Sequence, residues 1–307
     1  MSPLDYIGQN INTISSTMQS HKTIKVLDRG YVKFLDHLGN DKAIVNAARI
    51  SFDKQEHSEN DITEKDRKLI FYLLKHGHTS PFEQVVFTFL VKAPIFVARQ
   101  WFRHRTHRIN EVSGRYTEFE PEFYIPDDKH INSQNISNKQ GRGQILSADA
   151  ISDVREKIES INDQTYEIYK AFITEHNLAK ELARTVLGVG IYTKFQVQID
   201  LSNLFKFFML RSDAHAQFEI QEYSRAMEAI VQEICPVAFE AFREYMQSSR
   251  TFSRSQCTYM QTVLKHIKNG KTYTAAVELT DDDETIAMSE RDRKEIKQFL
   301  LNDQRSS

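Results

Sequence analysis

The sequence predicts a helix-rich mixed fold of helices and strands, and three observations carry that expectation. Its 307 residues hold 10 Gly and 6 Pro, 16 together, where average usage of roughly 7% and 5% would give about 37. Turn-rich all-β, collagenous and low-complexity chains are thereby disfavoured. Apolar alternation marks the short stretches 23 to 38, 84 to 92 and 191 to 200, whereas three- and four-residue apolar spacing runs through longer ones. At ~150 residues per domain the length allows one large or two small domains, enough to bury roughly three quarters of the unfolded surface.

Taken in order, residues 1 to 22 are polar with scattered Ile and Leu and are assigned no element beyond a short helix. TIKVLD and YVKFLDHLG read as two strands joined at Arg29-Gly30. Asp41 is expected to cap a helix through KAIVNAARISF, and a polar stretch, 53 to 62, leads to Thr63. Asp66 three residues on completes a box-like cap, the helix behind it buries Leu69, Ile70, Leu73 and Leu74, and Gly77 ends it. Residues 84 to 92 read as a strand, and Pro94 opens a helix carrying IFVARQWFRHR.

Residues 128 to 147, polar and without period, read as a surface insertion or mobile loop. Ser147 opens a long helix in which Ile151, Val154, Ile158 and Ile161 form a stripe expected to be buried. A shorter helix is expected near 179 to 187. A strand follows at 191 to 200, with Tyr192, Phe195, Val197 and Ile199 apolar, and then the helix LSNLFKFFMLR. Another long helix, about 214 to 247, is expected to bend at Cys235-Pro236. The tail begins with a linker-like SSRTFSRSQ and ends in a helix capped by Ser289.

Composition narrows function before any motif does. Forty basic against forty-two acidic side chains leave a net charge of -2, so no global field attracts nucleic acid or an anionic membrane. The longest apolar run, VVFTFLV, is far short of the ~20 residues a bilayer requires, and the N-terminus lacks a secretory pattern. A soluble, intracellular protein is expected. Cys235 and Cys257 cannot build a disulfide framework.

The densest chemistry is RQWFRHRTHRINEVSGRY, which holds Arg99, Arg103, Arg105, Arg108 and Arg115 beside Trp101 and Phe102. An Arg-only cluster in a near-neutral chain points to a local anion site or a nucleic-acid patch; the plain alternative is a solvated face. If the helix runs through it, Arg99 and Arg103 share a side and Arg105 points away. Guanidinium pairs with phosphate through parallel hydrogen bonds. Ser113, Gly114 and Arg115 together make a compact phosphate cradle, with the bare Gly114 amide free to approach an anion. No nucleotide-binding Gly-rich loop of the Rossmann or P-loop kind occurs. His76 and His78 lack a third ligand of suitable spacing, so no metal is assigned. Cys235 reads as core packing, and no Ser-His-Asp order is defensible around Ser113.

These segments resemble the flavin-dependent thymidylate synthases, which methylate dUMP without a Cys nucleophile. Arg103, His104 and Arg105, then seven residues, then Ser113 reproduce the family signature. ARISF, HTSPFEQVVFTFLVKAPIFVARQWFRHR, NEVSGRYTEF, EFYIP, ARTVL and LRSDAHAQFEIQEY are similar to family segments in the same order. The resemblance implies an α+β fold: a core of mixed helices and antiparallel strands over 23 to 247, an N-terminal extension, a polar insertion and a C-terminal helical extension from 248. It also implies a homotetramer with active sites shared between subunits, using FAD, NADPH and methylenetetrahydrofolate, and no nucleic acid or membrane partner.

By the family pattern, Ser51, His78, Ser80, Glu83, Arg103, His104 and Arg105 would lie at the flavin. Gln100, Arg103, Glu111, Ser113, Gly114, Arg115, Arg184 and Arg211 would hold dUMP. Ser113, Arg211 and His78 would serve catalysis, with Arg211 polarising a pyrimidine carbonyl and Ser113 binding rather than attacking. Gly188 stands where the family usually has Pro, Gln84 where His is common, and THRI precedes Asn110 where apolar residues are frequent. Asp200, Ser202 and Lys206 occupy a region where family members contact the flavin through other polar residues, and they are left out of the expected set.

Overall fold

The computed structural model describes residues 22–51, 61–136, 141–283 and 285–302. The short helix expected near the N-terminus and most of the polar stretch 53 to 62 lie outside these. The chain forms two units, one running to Ser248 and the other beginning at Ser249.

In the first unit, β1 (Thr23–Val26), β2 (Gly30–Leu38), β3 (Val86–Pro94), β7 (Tyr192–Asp200) and β4 (Arg108–Glu111) form one antiparallel sheet in that spatial order. The alternation expected for 191 to 200 is realised on β7 from Thr193 onward: Phe195, Val197 and Ile199 are buried on one face while Lys194, Gln196 and Gln198 face out, and Tyr192 is buried on the opposite face. Period-two patterning thus assigns one face to the core. There the inward Phe87, Phe89 and Val91 of β3 meet α3 (Ile95–Trp101), α6 (Leu201–Arg211) and α7 (Phe218–Ile234). Full burial of each such side chain contributes roughly 1.5–3 kcal/mol.

Around this centre lie α1 (Asp41–Ile50), α2 (Glu64–Lys75) and α8 (Pro236–Phe242). Thr63 and Asp66 form the expected capping box, and α2 ends just before Gly77, whose φ of 70° suits glycine. Asn40, not Asp41, caps α1: its side chain accepts from the Lys42 N–H at 2.9 Å. Asp41 is instead buried and accepts from the Val237 and Ala238 amides, both at 2.9 Å, satisfying the start of α8. The expected bend at Cys235-Pro236 is a full break, and α7 begins at Phe218 rather than near 214.

Three further expectations change. The helix carrying IFVARQW stops at Trp101, so Arg103, His104 and Arg105 sit on turns instead of helix faces. The insertion contains a hairpin of β5 (Asn132–Gln134) and β6 (Arg142–Ile145), whose pairing needs no apolar period because both strands are mostly exposed; residues 137 to 140 lie outside the description. Ser147 does cap α4 (Ala148–Thr174), but only Tyr169 of that helix is buried. Ile161 and Ile168 are 55% and 46% exposed, because within this chain α4 packs mainly on α5 (Lys180–Ala183) and the 3-10 turn after it.

The second unit is built from α9 (Arg254–Lys268), α10 (Tyr273–Asp281) and α11 (Glu290–Asn302) around Tyr259, Val263, Val277 and Ile296. The linker-like SSRTFSRSQ in fact opens α9, through a capping box of Ser253 and Gln256. Arg293 closes the end of α10 by donating to the carbonyls of Thr280, Asp281, Asp283 and Ile286.

Candidate active site

The first part of the site is anchored by Trp101. Its buried indole N–H donates to His107 Nδ1 at 3.0 Å, and the His104 and His107 amides bond back to the carbonyls of Trp101 and His104. Two tight turns therefore present Arg103, His104 and Arg105 beyond the end of α3. The His104 ring packs edge-on against Phe207, with centroids 4.9 Å apart. Its Nε2 accepts from Arg211 Nε at 2.9 Å, and Arg211 Nη2 reaches the Gln100 carbonyl at 3.4 Å. Burial first, and the Arg211 charge second, hold His104 down to about 4. Burial and then His104 press His107 to about 3. Both rings are neutral at pH 7, so Arg211 is held by a neutral acceptor and keeps its charge for a ligand. Arg103 and Arg105 are exposed and make no side-chain hydrogen bond or ion pair with another described residue.

A second part forms where β4 leaves the edge of β7. Glu111 accepts from the Thr193 hydroxyl at 2.7 Å. The next residues turn tightly, with the Tyr116 and Thr117 amides on the Ser113 carbonyl and the Arg115 amide 3.3 Å from Ser113 Oγ. Gly114 is buried: a Cβ there would stand 2.4 Å from Phe119 Cε2 and 3.1 Å from Arg184 Cδ. Only glycine lets the turn sit this close to the Arg184 stem. Arg115 Nε donates to Glu181 at 3.0 Å, which ties the turn to the 181 to 184 segment. Ser113, Gly114, Arg115 and Arg184 are thus neighbours in the fold. Ser113 Oγ has no His or carboxylate partner among the described residues, and a base-activated nucleophile would need one.

The third group is more dispersed. Ser80 and Glu83 project from a 3-10 turn, Ser80–Gln84, that is pinned by buried Pro81 and by Phe82 against Phe205, 6.3 Å between centroids. His78 is exposed, edge-on to Tyr72 at 6.0 Å, and Ser51 lies exposed at the end of α1. This turn packs against α6 near its start, where the Leu201 amide bonds the Val85 carbonyl, whereas the Arg103 to Arg105 turns meet the end of α6 at Arg211. Eleven helical residues, about 16 Å, separate the two. No hydrogen bond, ion pair or ring contact joins the three parts among the described residues.

One cleft, of about 580 Å³, is lined by Asp28, Tyr124, His130, Arg155, Phe218 and Glu222 among others, and by none of the expected residues. Its charges are largely paired locally, as Arg155 is with Asp128 at 3.0 Å. A smaller one of about 90 Å³ touches Gly114 and Phe119.

The chain was compared with known proteins on this basis. The family model described as thymidylate synthase complementing protein matches residues 33–237, two thirds of the chain. The chain belongs to the flavin-dependent thymidylate synthase family. Among the family's curated members, that of Anaplasma marginale is 44% identical over 245 residues, covering 80% of this chain and 82% of the relative. That of Thermus thermophilus is 43% identical over 248 residues, covering 80% and 88%. A solved UMP/dUMP methylase of Streptomyces cacaoi, bound with 5-Br dUMP, superposes with a TM-score of 0.65 at 31% identity, over 73% of this chain and 99% of that one. The α+β fold with its antiparallel sheet is therefore the family's.

Sequence reasoning missed Glu219, Gln217 and Arg142, which join the first part of the site as described below. The signal was present: Glu219 precedes Tyr223 and Met227 at four-residue steps, so a carboxylate occupies a position on the buried stripe of α7.

Proposed function

We propose that the chain catalyses the reductive methylation of dUMP to dTMP, with methylenetetrahydrofolate as carbon donor and NADPH-reduced FAD as hydride source. The observation that carries this reading is the Arg211 guanidinium, half-buried, bonded to a neutral His104 and set beside Arg103, which is unpaired among the described residues. A cation without a counter-ion is suited to a pyrimidine carbonyl whose negative charge grows as C5 becomes nucleophilic. Ser113, the Gly114 amide, Arg115 and Arg184 bind the phosphate, Glu111 takes a sugar hydroxyl, and Gln100 and Arg103 orient the nucleotide. Ser51, His78, Ser80, Glu83, Arg103, His104 and Arg105 hold the flavin, His78 beside its ring. When bound, that group supplies the hydride that completes the methyl. Orientation and charge come from the protein.

A homotetramer with shared sites follows from the same reading. The cradle and the Arg211 group share no hydrogen bond or ring contact among the described residues, and the exposed Ile161 and Ile168 of α4 offer an apolar face for a second subunit. No helix among the described residues is long and apolar enough to cross a membrane, and the enzyme is assigned to the cytoplasm. A yellow purified protein with oxidised-flavin absorbance and dUMP affinity that falls on substitution of Arg211 supports the proposal. A colourless protein that binds nucleic acid with strong salt dependence overturns it.

A further inference from the structure

Glu219 is only 2% exposed, and three donors converge on its carboxylate. The Tyr124 hydroxyl reaches Oε1 at 2.9 Å, Arg142 of the β5–β6 hairpin reaches the same oxygen at 2.5 Å, and the Gln217 amide reaches Oε2 at 2.9 Å. Arg142 supplies the counter-charge: although burial would raise the carboxyl, the hydrogen bond and charge of Arg142 hold it below the usual range. The hairpin is further seated by His130 stacked on Phe218, with centroids 3.7 Å apart. Beyond Gln217, which is itself exposed, the chain of bonds continues to Gln100. Gln217 Oε1 accepts from Gln100 Nε2, and the Gln100 carbonyl accepts from Arg211.

The direction of these bonds is dictated by chemistry at one end. An ionised carboxylate only accepts, so Gln217 must turn its NH₂ group to Glu219 and its carbonyl oxygen to Gln100. Gln100 must then answer with its own NH₂ group, leaving its side-chain oxygen as an outward acceptor. A primary amide is nearly symmetric in shape, so packing alone cannot choose between its two flips. Resting on the assignment of Gln100 and Arg211 to the nucleotide, we infer that Glu219 is a positioning residue: it sets the donor and acceptor sense of Gln217 and Gln100, and so the edge that Gln100 offers to dUMP. The inserted hairpin, through Arg142, is part of that device.

The test uses Glu219→Gln, which keeps the shape and can donate as well as accept. In the ligand-free protein, the Gln100 side-chain amide resonances are expected to shift in this variant. The dissociation constant for dUMP is expected to rise about tenfold or more, with flavin absorbance unchanged. In a Gln217→Leu background the same substitution should add nothing further, because its path to Gln100 is already cut. Unmoved Gln100 resonances, wild-type dUMP affinity in Glu219→Gln, or fully additive losses in the double variant would each overturn the relay. Absence of dUMP binding in the unsubstituted protein would instead defeat the functional assignment, and the resonances would still decide the relay.

Discussion

Gly114→Ala places a methyl group where the structure has no room for it. The added Cβ would lie 2.4 Å from Phe119 Cε2 and 3.1 Å from both Phe119 Cζ and Arg184 Cδ, whereas carbon atoms rest at roughly 3.5–4.0 Å. About 1 Å must be found. The Phe119 backbone cannot supply it easily, since its N–H donates to the Tyr169 hydroxyl at 3.1 Å and its carbonyl accepts from Tyr166 at 3.0 Å. Overpacking of this kind costs ~1–3 kcal/mol of stability. Displacing the cradle by about 1 Å lowers turnover on the order of 100-fold. Urea denaturation, a dTMP-forming assay and dUMP titration of the same preparation read stability, turnover and affinity. Phe119→Leu in the same chain removes Cε2 and Cζ, and should restore much of each. Wild-type stability and affinity in Gly114→Ala, or no recovery in the double variant, would refute the placement of the turn against Phe119 and Arg184.

Other outcomes follow from the same geometry. Arg115→Ala should leave stability unchanged, because its pair with Glu181 is exposed on both sides, yet weaken dUMP binding by ~2 to 4 kcal/mol in calorimetric titration. Cys235→Ala and Cys257→Ala should both retain turnover in a dTMP-forming assay: Cys235 is buried with its thiol pushed up by burial and by Asp41, away from thiolate character. The His104 to Arg211 bond needs a neutral imidazole. The folded value of His104, about 4, lies below the ordinary 6.5, so the unfolded chain takes up the proton first as pH falls. Stability from this contact is complete above about 6.5 and lost as pH falls through about 4, which a histidine NMR titration checks; a His104 midpoint near 6.5 would contradict it.

Period-two and helical patterning made β3, β7, α2 and α6 legible, because each buries one face against a single continuous core. Periodicity failed where local bonds outrank burial. The turns at Arg103 to Arg105 are held by Trp101 and backbone bonds, β4 is a mostly exposed edge strand, and the β5–β6 hairpin is largely polar. The stripe on α4 was read correctly as apolar, yet among the described residues it is only partly covered, and Ile161 is exposed. Ser113, Gly114 and Arg115 were legible as a group because they are contiguous in sequence. The place of Glu219 on the buried stripe of α7 was legible from its spacing, but its partners were not, because they come from residues 124, 142 and 217 and no local spacing reveals them.

The central claim is that this chain drives reduction of a transferred carbon with electrons from outside the folate. Turnover of dUMP with methylenetetrahydrofolate and NADPH, followed by analysis of both products, tests it most directly. The account predicts dTMP together with tetrahydrofolate, in amounts that depend on bound FAD and on NADPH. Formation of dTMP with dihydrofolate by flavin-free protein would contradict it.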